Sequence, residues 1–149
     1  MRRGLSFIEI TITVLIMAVA AAVVLPGWAD MQVDTRLTAA SAAVQADLLA
    51  LQRHAAQTST EHTLTVTNGS SVINVSPAVP SLLGDGLGNI DYGNRYPGVS
   101  FTGTNLDGSN STTITMRGEL VNSTDQRLST GLIQITYAGT NRNIDVLNP

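Results

Sequence analysis

The chain has 149 residues, 43% of them hydrophobic, and carries eight arginines and no lysine against eleven acidic residues, a formal charge of −3. With no cysteine it can form no disulfide, no thiolate metal site and no acylated cysteine, so burial has to hold any folded domain together. Its acidic balance, with Arg36, Arg53, Arg95, Arg117, Arg127 and Arg142 scattered along the chain, disfavours nucleic acid as a partner, because that binding rests on neutralising phosphates.

The first element is Arg2-Arg3-Gly4-Leu5-Ser6-Phe7-Ile8-Glu9 running into an apolar segment over residues 10–25. Residues 5–25 in a helix reach roughly 30 Å, enough to cross the hydrocarbon core of a bilayer. Glu9 is the exception in this segment: on insertion scales a charged side chain costs roughly 2.5–3.5 kcal/mol at the centre of a membrane helix, and less near an end. Such a carboxylate asks for a cation. A backbone cut after Gly4 would create one, the α-amine of Leu5, less than two helical turns away. Arg2 and Arg3 place the amino terminus on the cytoplasmic side.

This pattern, a short basic leader, Gly4, a hydrophobic residue and Glu9 as the fifth residue after the glycine, resembles the class III prepilin leader of type IV pilins and pseudopilins. It covers about a fifth of the chain. The resemblance implies cleavage between Gly4 and Leu5 by prepilin peptidase, N-methylation of Leu5, and pairing of Glu9 with the terminal amine of a neighbouring subunit. Pro26 falls where many pilins have a helix-loosening proline. Leu5 departs from the commoner phenylalanine. Removal of Arg2 and Arg3 leaves six arginines against eleven acids, a mature charge of −5.

Other readings of the same segment remain open. An ordinary secretory signal would be cut near Ala20 or Ala22 after Ala18-Val19-Ala20, but it would hold Glu9 in its hydrophobic region and leave Val23, Val24 and Leu25 beyond the cut. A plain single-span anchor explains the length and gives Glu9 no purpose. Twin-arginine export rests only on Arg2 and Arg3.

Pro26-Gly27 interrupts the helix where the apolar run stops, and Trp28 suits a membrane interface. Helical periodicity then returns: Val33, Leu37, Ala40, Val44, Leu48, Leu51 and Ala55 recur every three or four residues on one face, with Asp34, Gln45, Asp47 and Gln52 on another. The simplest picture is one long helix loosened at Pro26, its second half packing a core stripe on a sheet. Past Thr58 the pattern alternates. His62, Leu64 and Val66 point one way, Thr63, Thr65 and Thr67 the other, and Asn68-Gly69 reads as a two-residue hairpin turn setting Leu64 opposite Ile73 and His62 opposite Val75. A longer loop changes that register.

Residues 77–98, with Gly84, Gly86, Gly88 and Gly93 among Asp85, Asn89 and Asp91, read as a long irregular excursion. Strands are expected over 99–102, 112–116, 132–137 and 143–147, with Ile133, Ile135 and Tyr137 on one face. Asp107-Gly108-Ser109-Asn110 and residues 122–130 read as turns. A helix first and strands afterwards is an α+β arrangement, not alternating βαβ units. The organisation expected is a leader at 1–4, a transmembrane and assembly helix at 5–27, an amphipathic helix at 28–58 and an antiparallel β-rich head at 59–149.

No catalytic pattern emerges. His54 and His62 are the only histidines, one at the helix end and one on the first strand, and no acid stands at a spacing that suggests a metal pair or a triad. Serine and threonine abound without a nucleophile-elbow sequence. Asp85, Asn89 and Asp91 offer oxygen ligands in a glycine-rich loop, but their spacing departs from the calcium-binding EF-hand pattern and a plain flexible loop is the expectation. The reading is therefore no enzyme, no cofactor and no metal.

Further on, Asp47-Leu48-Leu49-Ala50-Leu51-Gln52-Arg53-His54-Ala55-Ala56, Leu64-Thr65-Val66 and Ile114-Thr115-Met116-Arg117-Gly118 followed by residues 132–137 together resemble the H-type minor pseudopilins of type II secretion (GspH) and the FimT/FimU minor pilins. That narrower resemblance implies a β-sandwich-like head on the helix. It also implies partners: prepilin peptidase, other pilin or pseudopilin subunits, and the bacterial inner membrane, with the head in the periplasm. Some FimT-like members bind DNA through a carboxy-terminal Gly-Arg-x-Arg element; here Asn141-Arg142-Asn143-Ile144-Asp145 stands without it. The alternatives are a DNA-uptake or adhesive minor pilin using residues 77–98, and an unrelated signal-anchored β-domain.

Overall fold

A computed structural model describes residues 7–79 and 88–146; Gly4, Leu5, Gly84, Asp85, Gly86 and Leu147 lie outside the described residues. The chain divides into two compact units, Met1–Thr35 and Arg36–Pro149. It is an α+β protein: a long helix α1 (Phe7–Thr58) precedes β1 (His62–Val66), β2 (Val72–Ser76), β3 (Asn89–Asp91), a one-turn helix α2 (Tyr92–Arg95), β4 (Ser100–Leu106), β5 (Ser111–Ile114), β6 (Leu120–Val121), β7 (Gly131–Tyr137) and β8 (Thr140–Asp145).

The expected break at Pro26 is absent, since α1 runs through it. Proline at this position has no amide proton to give the carbonyl of Ala22, so one helical bond is lost. Ending the helix there would leave up to four carbonyls and four amides unsatisfied, a larger loss, and apolar helices of membrane type tolerate proline for this reason. At its other end α1 stops cleanly. Ser59 turns into the left-handed region (φ 52°) and the Thr60 amide reaches back to the Ala55 carbonyl at 3.2 Å, a closure that satisfies carbonyls left over at the helix end.

In the second unit the helix stripe is core, as its spacing indicates: Leu37, Ala40, Val44, Leu48, Leu51 and Ala55 are all buried, whereas Val33, expected in the same stripe, lies in the first unit and is only part-buried. Five strands form one antiparallel sheet in the order β3-β2-β1-β5-β6, and three form another in the order β4-β7-β8. Their buried residues include Leu64, Val66, Ile73 and Ile114 from the first sheet and Phe101, Ile133, Ile135 and Ile144 from the second. Polar bonds fix the helix against the strands. The Tyr92 hydroxyl donates to Asp47 at 2.9 Å, Arg36 donates to the Tyr137 hydroxyl at 2.7 Å and Arg142 to the Thr38 hydroxyl at 2.6 Å. Gly118, at φ +77°, permits a close approach: a Cβ there would stand 2.9 Å from the Gln52 carbonyl oxygen of α1.

Two sequence expectations are corrected. The β1–β2 connection is longer than a two-residue turn, so Leu64 pairs with Val75 and Val66 with Ile73, while His62 lies opposite Ile114 of β5. The cause is competition for backbone bonds: the Gly69 amide donates to the Phe101 carbonyl and the Phe101 amide to the Ser70 carbonyl, which draws the loop to β4. Because the shift is by two residues, every side chain keeps its face. Residues 88–98 are also more ordered than an irregular excursion. Ile90 pairs with Ile73, and Asp91 caps α2 by accepting from the Gly93 and Asn94 amides at 2.9 and 3.3 Å. Buried Tyr92 then meets Phe101 edge-on, 5.7 Å between ring centres.

A second carboxylate staples a turn. Asp107, at φ 52°, accepts from the Ser129 hydroxyl at 2.7 Å, the Thr130 amide at 2.8 Å and the Ser129 amide at 3.0 Å. These donors, the Ser129 hydroxyl foremost, hold its carboxyl below the usual carboxylate range. A carboxylate with a lowered folded-state pKa contributes stability that is present above its unfolded value, 3.8, and disappears as the pH falls through the folded value. In detergent-solubilised full-length protein, Asp107→Ala is therefore expected to lower the thermal midpoint at neutral pH, with the gap to wild type narrowing at pH below 3.8. A gap that widens on acidification would contradict this. Leu51→Ala should cost about 2–5 kcal/mol by urea unfolding, the range for an emptied leucine site in a close-packed core.

Candidate functional site

The first unit carries the residues singled out from the sequence. From Phe7 to Val24 no residue is buried, and the large side chains Ile8, Ile12, Leu15, Ile16, Val19 and Val23 all lie open on a helix long and apolar enough to cross a membrane. A helix apolar on every side satisfies its surface in lipid or against other apolar helices. Its hydroxyls are dealt with internally: Thr11 donates to the Phe7 carbonyl at 2.8 Å and Thr13 to the Glu9 carbonyl at 2.7 Å. These back-bonds spend the donors that would be costly in hydrocarbon.

Glu9 has no such arrangement. Its side chain is exposed in the first turn of α1, and among the described residues neither a hydrogen-bond donor nor a cation pairs with it. The helix amino terminus favours an acid by its dipole, an effect of about 0.3–1 kcal/mol that does not offset burial in hydrocarbon. Gly4 and Leu5, expected to supply the cut and the amine, lie outside the described residues. Trp28 is exposed, as an interface residue would be.

The remaining candidates sit in the second unit. Asp85 falls outside the described residues, Asn89 lies in β3, and Asp91 is engaged as a helix cap that also accepts the Ser71 hydroxyl at 2.8 Å. That hydroxyl is the main reason its carboxyl is held below the usual range. Asp91 is thus used within the fold. Among the described residues no three or more His, Asp or Glu gather as a metal cluster.

Sequence reasoning missed two things here. Asp47, read as part of a polar helix face, is the acceptor for buried Tyr92 and lies 3.6 Å from Arg95. Burial, with the Asp47 charge beside it, pushes the Tyr92 hydroxyl far up and keeps it protonated as a donor. His54 and His62, read as separate, bring their ring centres to 5.5 Å. A reversal at Ser59 folds the two segments together, and nothing in the residue spacing announces that.

Set against family models, curated proteins and solved structures, the chain finds no match in any of the three. Function has to be argued from the residues themselves. For the apolar segment, Leu15→Asp should reduce membrane insertion by roughly 3–4 kcal/mol in an insertion assay, the cost of Asp plus the lost gain of Leu. Full insertion of that variant would show that the segment does not depend on hydrocarbon.

Proposed function

We propose that this chain is a minor pilin or pseudopilin, a structural and non-enzymatic subunit of a type IV pilus or a type II secretion pseudopilus. The observation that carries this reading is Glu9: a lone carboxylate without a described partner on a helix that is apolar all round. In this reading prepilin peptidase cuts after Gly4 and methylates Leu5, whose ammonium then stands four residues from Glu9, about 6 Å of helix rise. The cation that meets Glu9 comes from the neighbouring subunit, and in a low-dielectric setting such a pair attracts far more strongly than in water. Pairing fixes axial register, and the apolar surface from Ile10 to Leu25 packs against equivalent helices.

The precursor sits in the bacterial inner membrane with its amino terminus inside. The β-rich part forms a sandwich-like periplasmic head that contacts other subunits at or near the filament tip. The two antiparallel sheets joined to a buried helix stripe support this reading of the head.

Glu9→Ala should be processed normally yet enter filaments poorly, measured as the sheared-filament fraction against total mature protein; wild-type incorporation would remove the pairing mechanism. Substituting Gly4 should leave the precursor uncut. Amino-terminal sequencing of mature wild-type material should start at N-methylated Leu5, and a start at Ala21 or Val23 would instead identify a secretory signal.

A further inference from the structure

The His54–His62 pair is explained by nothing so far. His62 is only 2% exposed, and its Nδ1 lies 3.0 Å from the Pro77 carbonyl oxygen. A carbonyl only accepts, so Nδ1 carries a proton, and in the neutral ring Nε2 is left as a bare lone pair. That Nε2 is buried with no hydrogen-bond partner, and so is Nδ1 of His54. Two orphaned imidazole nitrogens on rings 5.5 Å apart, tilted by 57°, call for a shared occupant.

We propose that His54 and His62 form a two-imidazole site for a borderline divalent transition metal ion of the Zn²⁺ type, with His54 Nδ1 and His62 Nε2 as ligating atoms. Three features support it. Two imidazoles bound to one tetrahedral ion at about 2.1 Å place their ring centres roughly 5.3 Å apart, close to the observed separation. The hydrogen bond from His62 Nδ1 to a backbone carbonyl is the outer support that fixes tautomer and ring orientation in metal-binding histidines. Imidazole nitrogen suits Zn²⁺ and its neighbours in the series, and not Ca²⁺ or Mg²⁺.

Among the described residues no third His, Asp or Glu joins the pair; His54 is only part-exposed and both nitrogens are shielded, so water completing the coordination has to enter from the His54 side. This makes an exchangeable ion and not a closed structural site. Bound there, the ion ties the last turns of α1 to the first residue of β1.

The test is unusually clean because these are the chain's only histidines and it has no cysteine. Purified full-length protein in detergent micelles is titrated with Zn²⁺ near neutral pH, and with Co²⁺ as a paramagnetic probe. One ion per chain is expected, with a raised thermal midpoint reversed by chelator, and Co²⁺ should shift the ring protons of both histidines. His54→Gln, at a part-exposed helix position, should stay folded, with its metal-free midpoint measured alongside, and weaken Zn²⁺ binding at least tenfold. Undiminished binding by that variant would assign the ion to carboxylates and overturn the site. So would shifts confined to one histidine, or no saturable binding at all, the result for a pair bridged by water alone.

Discussion

Burial of one helix stripe is the interaction on which the Arg36–Pro149 unit depends. Leu37, Ala40, Val44, Leu48, Leu51 and Ala55 are buried, and with no disulfide available their burial is what the fold has to draw on. At about 25 cal/mol per Å² of apolar surface, stripe and strand interiors together supply the main favourable term, against a conformational entropy of similar size. The small residues matter as much as the leucines. Ala40 and Ala55 are wholly buried, and Gly118 leaves room for a turn to come up against the carbonyl of Gln52.

Acidic side chains then complete the architecture where backbone groups lack partners. Asp47 accepts the proton of the buried Tyr92 hydroxyl, Asp91 caps α2, and Asp107 gathers the amides of Ser129 and Thr130 into a tight turn. These carboxylates are engaged inside the unit. In the glycine-rich region Asp91 is already engaged as a helix cap, so its place there says little about calcium.

The first unit follows opposite rules. From Phe7 to Val24 nothing in it is buried, Thr11 and Thr13 bond back to the helix, and within that stretch only Glu9 carries a polar side chain that the described residues do not answer. A surface of that kind is finished by its surroundings: lipid solves the apolar part, and a cation has to solve the acid. The filament reading joins both requirements in one partner, a second helix of the same kind bearing a free amine.

Sequence periodicity alone determined which residues become helix and which become core. The three-and-four spacing of the stripe and the alternation in β1 and β7 record which face turns inward, a local property of 3.6- and 2-residue repeats. Glu9 stands out for the same reason, as a charge where the surrounding pattern admits none. Tertiary structure decided whatever rests on partners distant along the chain. The β1–β2 register was set by Phe101, three-residue β3 and two-residue β6 exist only through their neighbours, and Asp47 became an acceptor because the fold brings the Tyr92 hydroxyl to it. The meeting of His54 with His62 belongs to the same class, since two rings on different elements come together only when the chain reverses between them.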